Sequence, residues 1–143
     1  MEINVHDFEG YAKNNPFMAY NHIELIEAGP EKSTVRLTIC PESRNLHGTV
    51  HGGLLYALAD CVAGVTARAD GTDYVTQSGH ISFLGNVASG TILATGTTLR
   101  RGRRALFVHV DIRSEDGELL ADGTVELSRM GRPMDQNAKN AGS

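Results

Sequence analysis

The sequence predicts an α+β fold, with an antiparallel sheet of about six strands wrapped around one long central helix. Three observations lead there. A single long apolar stretch at helical spacing lies near the middle of the chain, two period-two segments precede it, and four more follow it, joined by glycine-containing turns.

Taken in order, residues 5 to 14 can form a short amphipathic helix, which Asn14-Asn15-Pro16 is expected to end because proline cannot continue the hydrogen-bond ladder. A strand follows over residues 21 to 28. Gly29-Pro30-Glu31-Lys32 reads as a turn, beyond which Val35, Leu37 and Ile39 alternate with Thr34, Arg36 and Thr38, so the two strands read as a hairpin. After a loop from Pro41 to Val50, Leu54, Leu55, Leu58, Ala59, Val62 and Val65 recur at helical spacing and should bury one broad face. That helix should end between Arg68 and Gly71. Strands over 73–84, 91–100, 104–113 and 119–128 come next, separated by Ser89-Gly90, Arg101-Gly102 and Asp116-Gly117. Leu106, Val108, Val110 and Ile112 alternate cleanly, as do Leu119, Ala121, Gly123, Val125 and Leu127. Residues 1 to 130 thus read as a single domain, and the polar tail from 131 to 143 is expected to be mobile. One helix covers one face of the sheet. Phe83, Phe107 and Leu120 are therefore expected to expose apolar surface on the other face, where another subunit would pack.

Composition narrows the function classes. The 143 residues are 41% hydrophobic and 21% charged, which fits a globular protein and excludes a disordered one. A net charge of -4 offers no general attraction to nucleic acid or anionic membrane. No uncharged apolar run reaches membrane-spanning length, and the start, Met-Glu-Ile-Asn, lacks the pattern of a secretory signal. Cys40 and Cys61 have neither zinc nor redox spacing, so a cytoplasmic protein with reduced thiols is expected.

The chemistry concentrates between Asn45 and Asp60. Asp60 is the only full charge from His51 to Ala67 in what reads as a buried helix, and an unpaired buried carboxylate costs several kcal/mol. Such a residue implies chemistry. A helix opening at His51-Gly52-Gly53 presents unpaired N–H groups and a partial positive charge, suited to an oxyanion or a polarised carbonyl. Asp60 lies eight residues past Gly52, or roughly 12 Å along the axis at about 1.5 Å per residue. No small reacting centre touches both. If both serve one reaction, they come from two copies of the helix run antiparallel by a two-fold axis, which predicts a homodimer with shared sites.

The run Asn45-x-x-Gly48-x-x-His51-Gly52-Gly53, followed by Tyr56-Ala57-Leu58-Ala59-Asp60 and Gly64, resembles the motif of hotdog-fold acyl-CoA thioesterases, most closely the phenylacetate-pathway (PaaI-like) and THEM2-like branch. The resemblance extends over residues 20 to 128. It implies that Gly52 N–H polarises the thioester carbonyl with support from Asn45 and His51. Asp60 of the partner subunit would activate water as general base, or act as a nucleophile, and Thr76 would help to hold the water. It further implies an acyl-CoA substrate bound by no resident cofactor or metal, and a homodimer that in many relatives pairs into a tetramer. Gly53, Leu54 and Phe83 become candidates for the acyl site. Arg100, Arg101, Arg103 and Arg104, the one dense basic cluster, become candidates for the phosphates of CoA. The chain departs from relatives at Phe83-Leu84-Gly85-Asn86, where an aromatic-Leu-x-Pro run is usual. That change bears on substrate choice, and an aryl-acetyl and a medium-chain acyl group remain equally compatible.

Simpler readings stand beside these. Paired glycines can serve a tight turn alone, Cys61 suits a small core position, and Thr76 is an ordinary strand former. His47 and His51 have i, i+4 spacing, but Gly48 stands where a zinc hydrolase needs glutamate. The alternatives for function are a non-catalytic acyl-CoA-binding module and a hotdog hydratase or dehydratase.

Overall fold

The computed structural model describes residues 15–133. A short helix α1 (Pro16–Tyr20) leads into strands β1 (Ile23–Glu27) and β2 (Lys32–Thr38), then the central helix α2 (Gly52–Arg68). Strands β3 (Thr72–Phe83), β4 (Thr91–Arg101), β5 (Ala105–Ser114) and β6 (Leu119–Pro133) follow. They form one antiparallel sheet in the order β1-β2-β4-β5-β6-β3, as the α+β reading expects. The expected helix over residues 5 to 14 lies outside the described residues.

The alternation in β5 does what the sequence says it should: Leu106, Val108, Val110 and Ile112 all point into the core. They meet Leu55, Leu58, Ala59, Val62 and Val65 of α2, all buried, while Leu54 is half-buried at the edge of the same face.

Asn15-Pro16 opens the short helix α1: Asn15 Oδ1 accepts from Met18 N at 3.1 Å, and proline occupies the first turn, where its missing N–H costs nothing. Three expectations need correction. Leu120 is fully buried, because the pairing of β5 with β6 shifts between Ile112 and Arg113 and turns both Leu120 and Ala121 inward. The segment from 131 to 133 belongs to β6, with Pro133 opposite Thr72, rather than to a tail. Finally, the outer sheet face is mainly polar. His109, Asp111, Asp122 and Thr124 occupy it with the exposed Leu93 of β4, and a further group of exposed apolar residues, Val75, Phe83 and Leu84, lies along β3 and just beyond it.

That last point positions the site. β3 is a terminal strand with an unpaired edge, and between Val75 and His80 its residues are exposed. The sheet covers one side of α2 and leaves the stripe of Tyr56 and Asp60 uncovered.

Candidate active site

The loop before α2 is built by Asn45. Its Oδ1 accepts from His47 N at 2.8 Å and Thr49 N at 3.2 Å, while its Nδ2 donates to Thr49 Oγ1 at 3.1 Å. Gly48 closes the turn at φ 81°, a left-handed conformation that suits glycine. The Asn45 amide is thus turned onto its own loop, where it fixes the approach to the helix. Asn86 fixes it from the other side: its Nδ2 donates to Val50 O at 2.8 Å and its Oδ1 accepts from Val50 N at 3.2 Å. This asparagine ties the exit of β3 to the residue before His51.

Tracing the backbone donors at the helix start isolates one group. His51 caps the helix, its Nδ1 accepting from Gly53 N at 2.8 Å, and Leu54 N and Leu55 N both donate to His51 O. Among the described residues Gly52 N–H donates to no acceptor. It is the helix N-terminus's one uncommitted donor, and the Phe83 ring lies about as close as van der Waals contact to the space beside it. Gly53, by contrast, has its N–H engaged by the cap.

Asp60 is exposed in the single chain, not buried as the sequence suggested. The helix is apolar on more than one face, but only one face has a sheet over it, and Asp60 lies on the other. Thr76 Oγ1 on β3 donates to Asp60 Oδ1 at 2.5 Å, so the two residues assigned to one role come together. They line a cavity of about 240 Å³ with Asn15, Phe17, Cys61 and Gly64. Arg68, which sequence reasoning did not single out, lines it as well. Its signal was present in the stripe Tyr56, Asp60, Gly64, Arg68 at i, i+4 spacing. Cys61 is pushed up to about 12 by burial and by the neighbouring Asp60 carboxylate, so it stays a thiol and is no nucleophile at neutral pH.

The arginine cluster divides. Arg100, Arg103 and Arg104 are exposed, whereas Arg101 folds inward onto the C-terminal end of α2. Its Nη1 donates to Ala67 O at 3.1 Å and Asp70 Oδ2 at 2.8 Å, and its Nη2 to Thr66 O at 3.1 Å and Pro30 O at 2.7 Å. Those bonds remove Arg101 from the phosphate-binding candidates and make it a clamp on the helix end.

One long helix lying against a six-stranded antiparallel sheet is the hotdog architecture. Residues 47–121 match the sequence profile of the thioesterase superfamily, and the chain belongs to that family of thioester hydrolases. A Deinococcus radiodurans protein named "Putative esterase" is 33% identical over 99 residues, covering 68% of this chain and 67% of that protein. Acyl-coenzyme A thioesterase 13 of Homo sapiens is 29% identical over 105 residues, 71% of this chain and 75% of the relative. Among solved structures, a variant of the phenylacetic acid degradation protein PaaI from Thermus thermophilus superposes with a TM-score of 0.77 at 28% identity, over 81% of this chain and 100% of that one. Within the described residues no helix is long and apolar enough to cross a membrane.

Proposed function

We propose that the chain is an acyl-CoA thioesterase working as a homodimer, with each site shared between Gly52 of one protomer and Asp60 of its partner. The observation that carries this reading is the uncommitted Gly52 N–H on the same helix as an uncovered Asp60–Thr76 pair. Roughly 12 Å of helix separates the two, too far for one reacting carbon and right for two antiparallel helices side by side. The free edge of β3, with Val75, Phe83 and Leu84 exposed, supplies a strand and an apolar border for such a pairing. Association of two such dimers into a tetramer, and a cytoplasmic setting, belong to the same reading.

The thioester oxygen accepts from Gly52 N–H, whose position at the start of α2 favours developing negative charge. Asn45 and His51 hold that N–H in place through the loop and the cap. Thr76, its proton directed at Asp60 Oδ1, keeps lone pairs for an incoming water, and the other Asp60 oxygen takes that water's proton. The water oxygen bonds to the carbonyl carbon, the C–S bond breaks, and the proton on Asp60 passes to the departing CoA sulfur. Asp60 thus acts as general base. Antiparallel pairing also carries the β4–β5 turn, whose Arg101 holds the C-terminal end of one helix, and with it the exposed Arg100, Arg103 and Arg104, toward the partner's Gly52 end, where the phosphates of CoA would enter. Phe83, Gly53 and Leu54 border the same end.

Subunit mixing tests the shared geometry. Asp60→Asn and Asn45→Ala homodimers should each release little CoA thiol, about 10²-fold or more below wild type. After verified exchange, the mixed dimers should regain one working site in two. No recovery would refute the shared site.

A further inference from the structure

We propose that the cavity beside Asp60 takes the distal part of the acyl group, and that Arg68 selects acyl groups bearing an uncharged oxygen acceptor there, a ketone or a hydroxyl. This rests on the thioesterase reading and names its substrate class. The cavity, about 240 Å³, has room for a group of several heavy atoms and opens directly onto the Asp60–Thr76 pair. Its wall is unusual for a site that would hold a plain hydrocarbon: Phe17 is its one large apolar group, and Asn15, Thr76 and Arg68 supply polar atoms.

Arg68 reaches the cavity because Gly64 has no side chain. A Cβ on Gly64 would lie 2.6 Å from Arg68 Nη1, so the guanidinium lies against the helix where any other residue would displace it, one turn back toward Asp60. The rest of the guanidinium is held. Nη2 donates to Tyr74 O at 3.0 Å, and Nε lies 3.5 Å from Asp73 Oδ1. Nη1 has no acceptor among the described residues, and it is the guanidinium nitrogen nearest to Gly64 on the cavity wall. A fixed, unused donor in a recess is satisfied by a ligand oxygen and disfavours a methyl group placed against it.

Charge decides which oxygen. Asp73, nearly buried, already offsets the Arg68 charge, and Asp60 adds a second carboxylate to the same recess. A carboxylate at the acyl end would meet that negative field, whereas a neutral ketone or hydroxyl gains the hydrogen bond without it.

The test uses hexanoyl-CoA, 5-oxohexanoyl-CoA and adipoyl-CoA, with thiol release as readout. Wild type should show kcat/KM for 5-oxohexanoyl-CoA about tenfold or more above hexanoyl-CoA, with adipoyl-CoA below both. Arg68→Met should bring the oxo-to-plain ratio near one. Because Arg68 also joins α2 to the start of β3, Gly64→Ala provides a second route: it keeps the arginine, moves Nη1 aside, and should lower the ratio in a folded protein. A wild-type ratio near one, or a ratio unchanged in both variants, overturns the selectivity while leaving the thioesterase reading intact. A preference for adipoyl-CoA overturns the uncharged-acceptor assignment. No turnover of any of the three would overturn this inference; phenylacetyl-CoA in the same assay tells the two failures apart, since its hydrolysis would keep the thioesterase reading and its failure as well would overturn that reading too.

Discussion

The two ends of α2 are finished in opposite ways. At the C-terminal end every late carbonyl with a described partner is engaged: Val65 O by Ala69 N, Arg68 O by Gly71 N, and Thr66 O and Ala67 O by Arg101. Asp70 gathers that end further, accepting from Tyr74 OH at 2.6 Å and Thr72 Oγ1 at 2.6 Å as well as from Arg101. The N-terminal end keeps Gly52 N–H without a partner among the described residues, beside a loop held by Asn45, His51 and Asn86. One end is closed in favour of stability, and the other keeps a donor open to a ligand. Variants at the two ends should therefore separate rate from stability.

The largest separation is expected at Gly52. Proline at the first helical position removes the N–H while suiting the backbone, since His51 before it is already extended at φ −62° and ψ 131°. Gly52→Pro should keep its unfolding midpoint and lose about 10²- to 10³-fold in kcat, the usual weight of one oxyanion donor. Gly52→Ala is the control, because it retains the N–H and meets only the Phe83 ring at 3.9 Å. Equal losses in both variants would show that bulk, and not the donor, matters at this position.

The closed end should respond in stability instead. Arg101→Met deletes contacts to Thr66, Ala67, Pro30 and Asp70 from a side chain only 20% exposed. Urea unfolding should show a loss of about 2 to 3 kcal/mol, while kcat per folded molecule changes little. A large fall in activity at unchanged stability would place Arg101 back among the groups that meet substrate.

Why the sequence revealed one end better than the other follows from the range of the interactions. The helix start is local: His51 caps Gly53 two residues on, and Asn45 holds His47 and Thr49, so residue types at short spacing carry the information. Strand alternation in β5 is local too, and the sheet was readable from it. The clamp is not local, since Arg101 meets Thr66 across 35 residues, and nothing in the run Arg100 to Arg104 marks which guanidinium turns inward. Asp60 shows a different limit. Apolar residues on several faces of α2 read as burial all round, but only the sheet's geometry tells which face is left for a partner. Leu120 was missed for a similar reason, because a register shift is a property of two strands and not of one.

The smallest expected effect concerns pH at the closed end. Burial alone would raise the Asp70 carboxyl, but hydrogen bonds from Thr72 and Tyr74 and the charge of Arg101 outweigh it and hold the group below its ordinary value of 3.8. A carboxylate whose folded value is depressed contributes stability that is present above the unfolded value and is lost as pH falls through the folded one. Wild type should therefore exceed Asp70→Asn in urea stability by a constant margin from about pH 8 down to about pH 5, and the margin should shrink below about pH 4. Comparing the two proteins cancels the other carboxylates, which titrate in both. A margin that stays constant to about pH 3 would mean that Asp70 acts through the shape of its hydrogen bonds and that its charge opposite Arg101 contributes nothing. The open end offers no such dependence through Asp70, so kcat of Asp70→Asn, measured near neutral pH on folded protein, should match wild type.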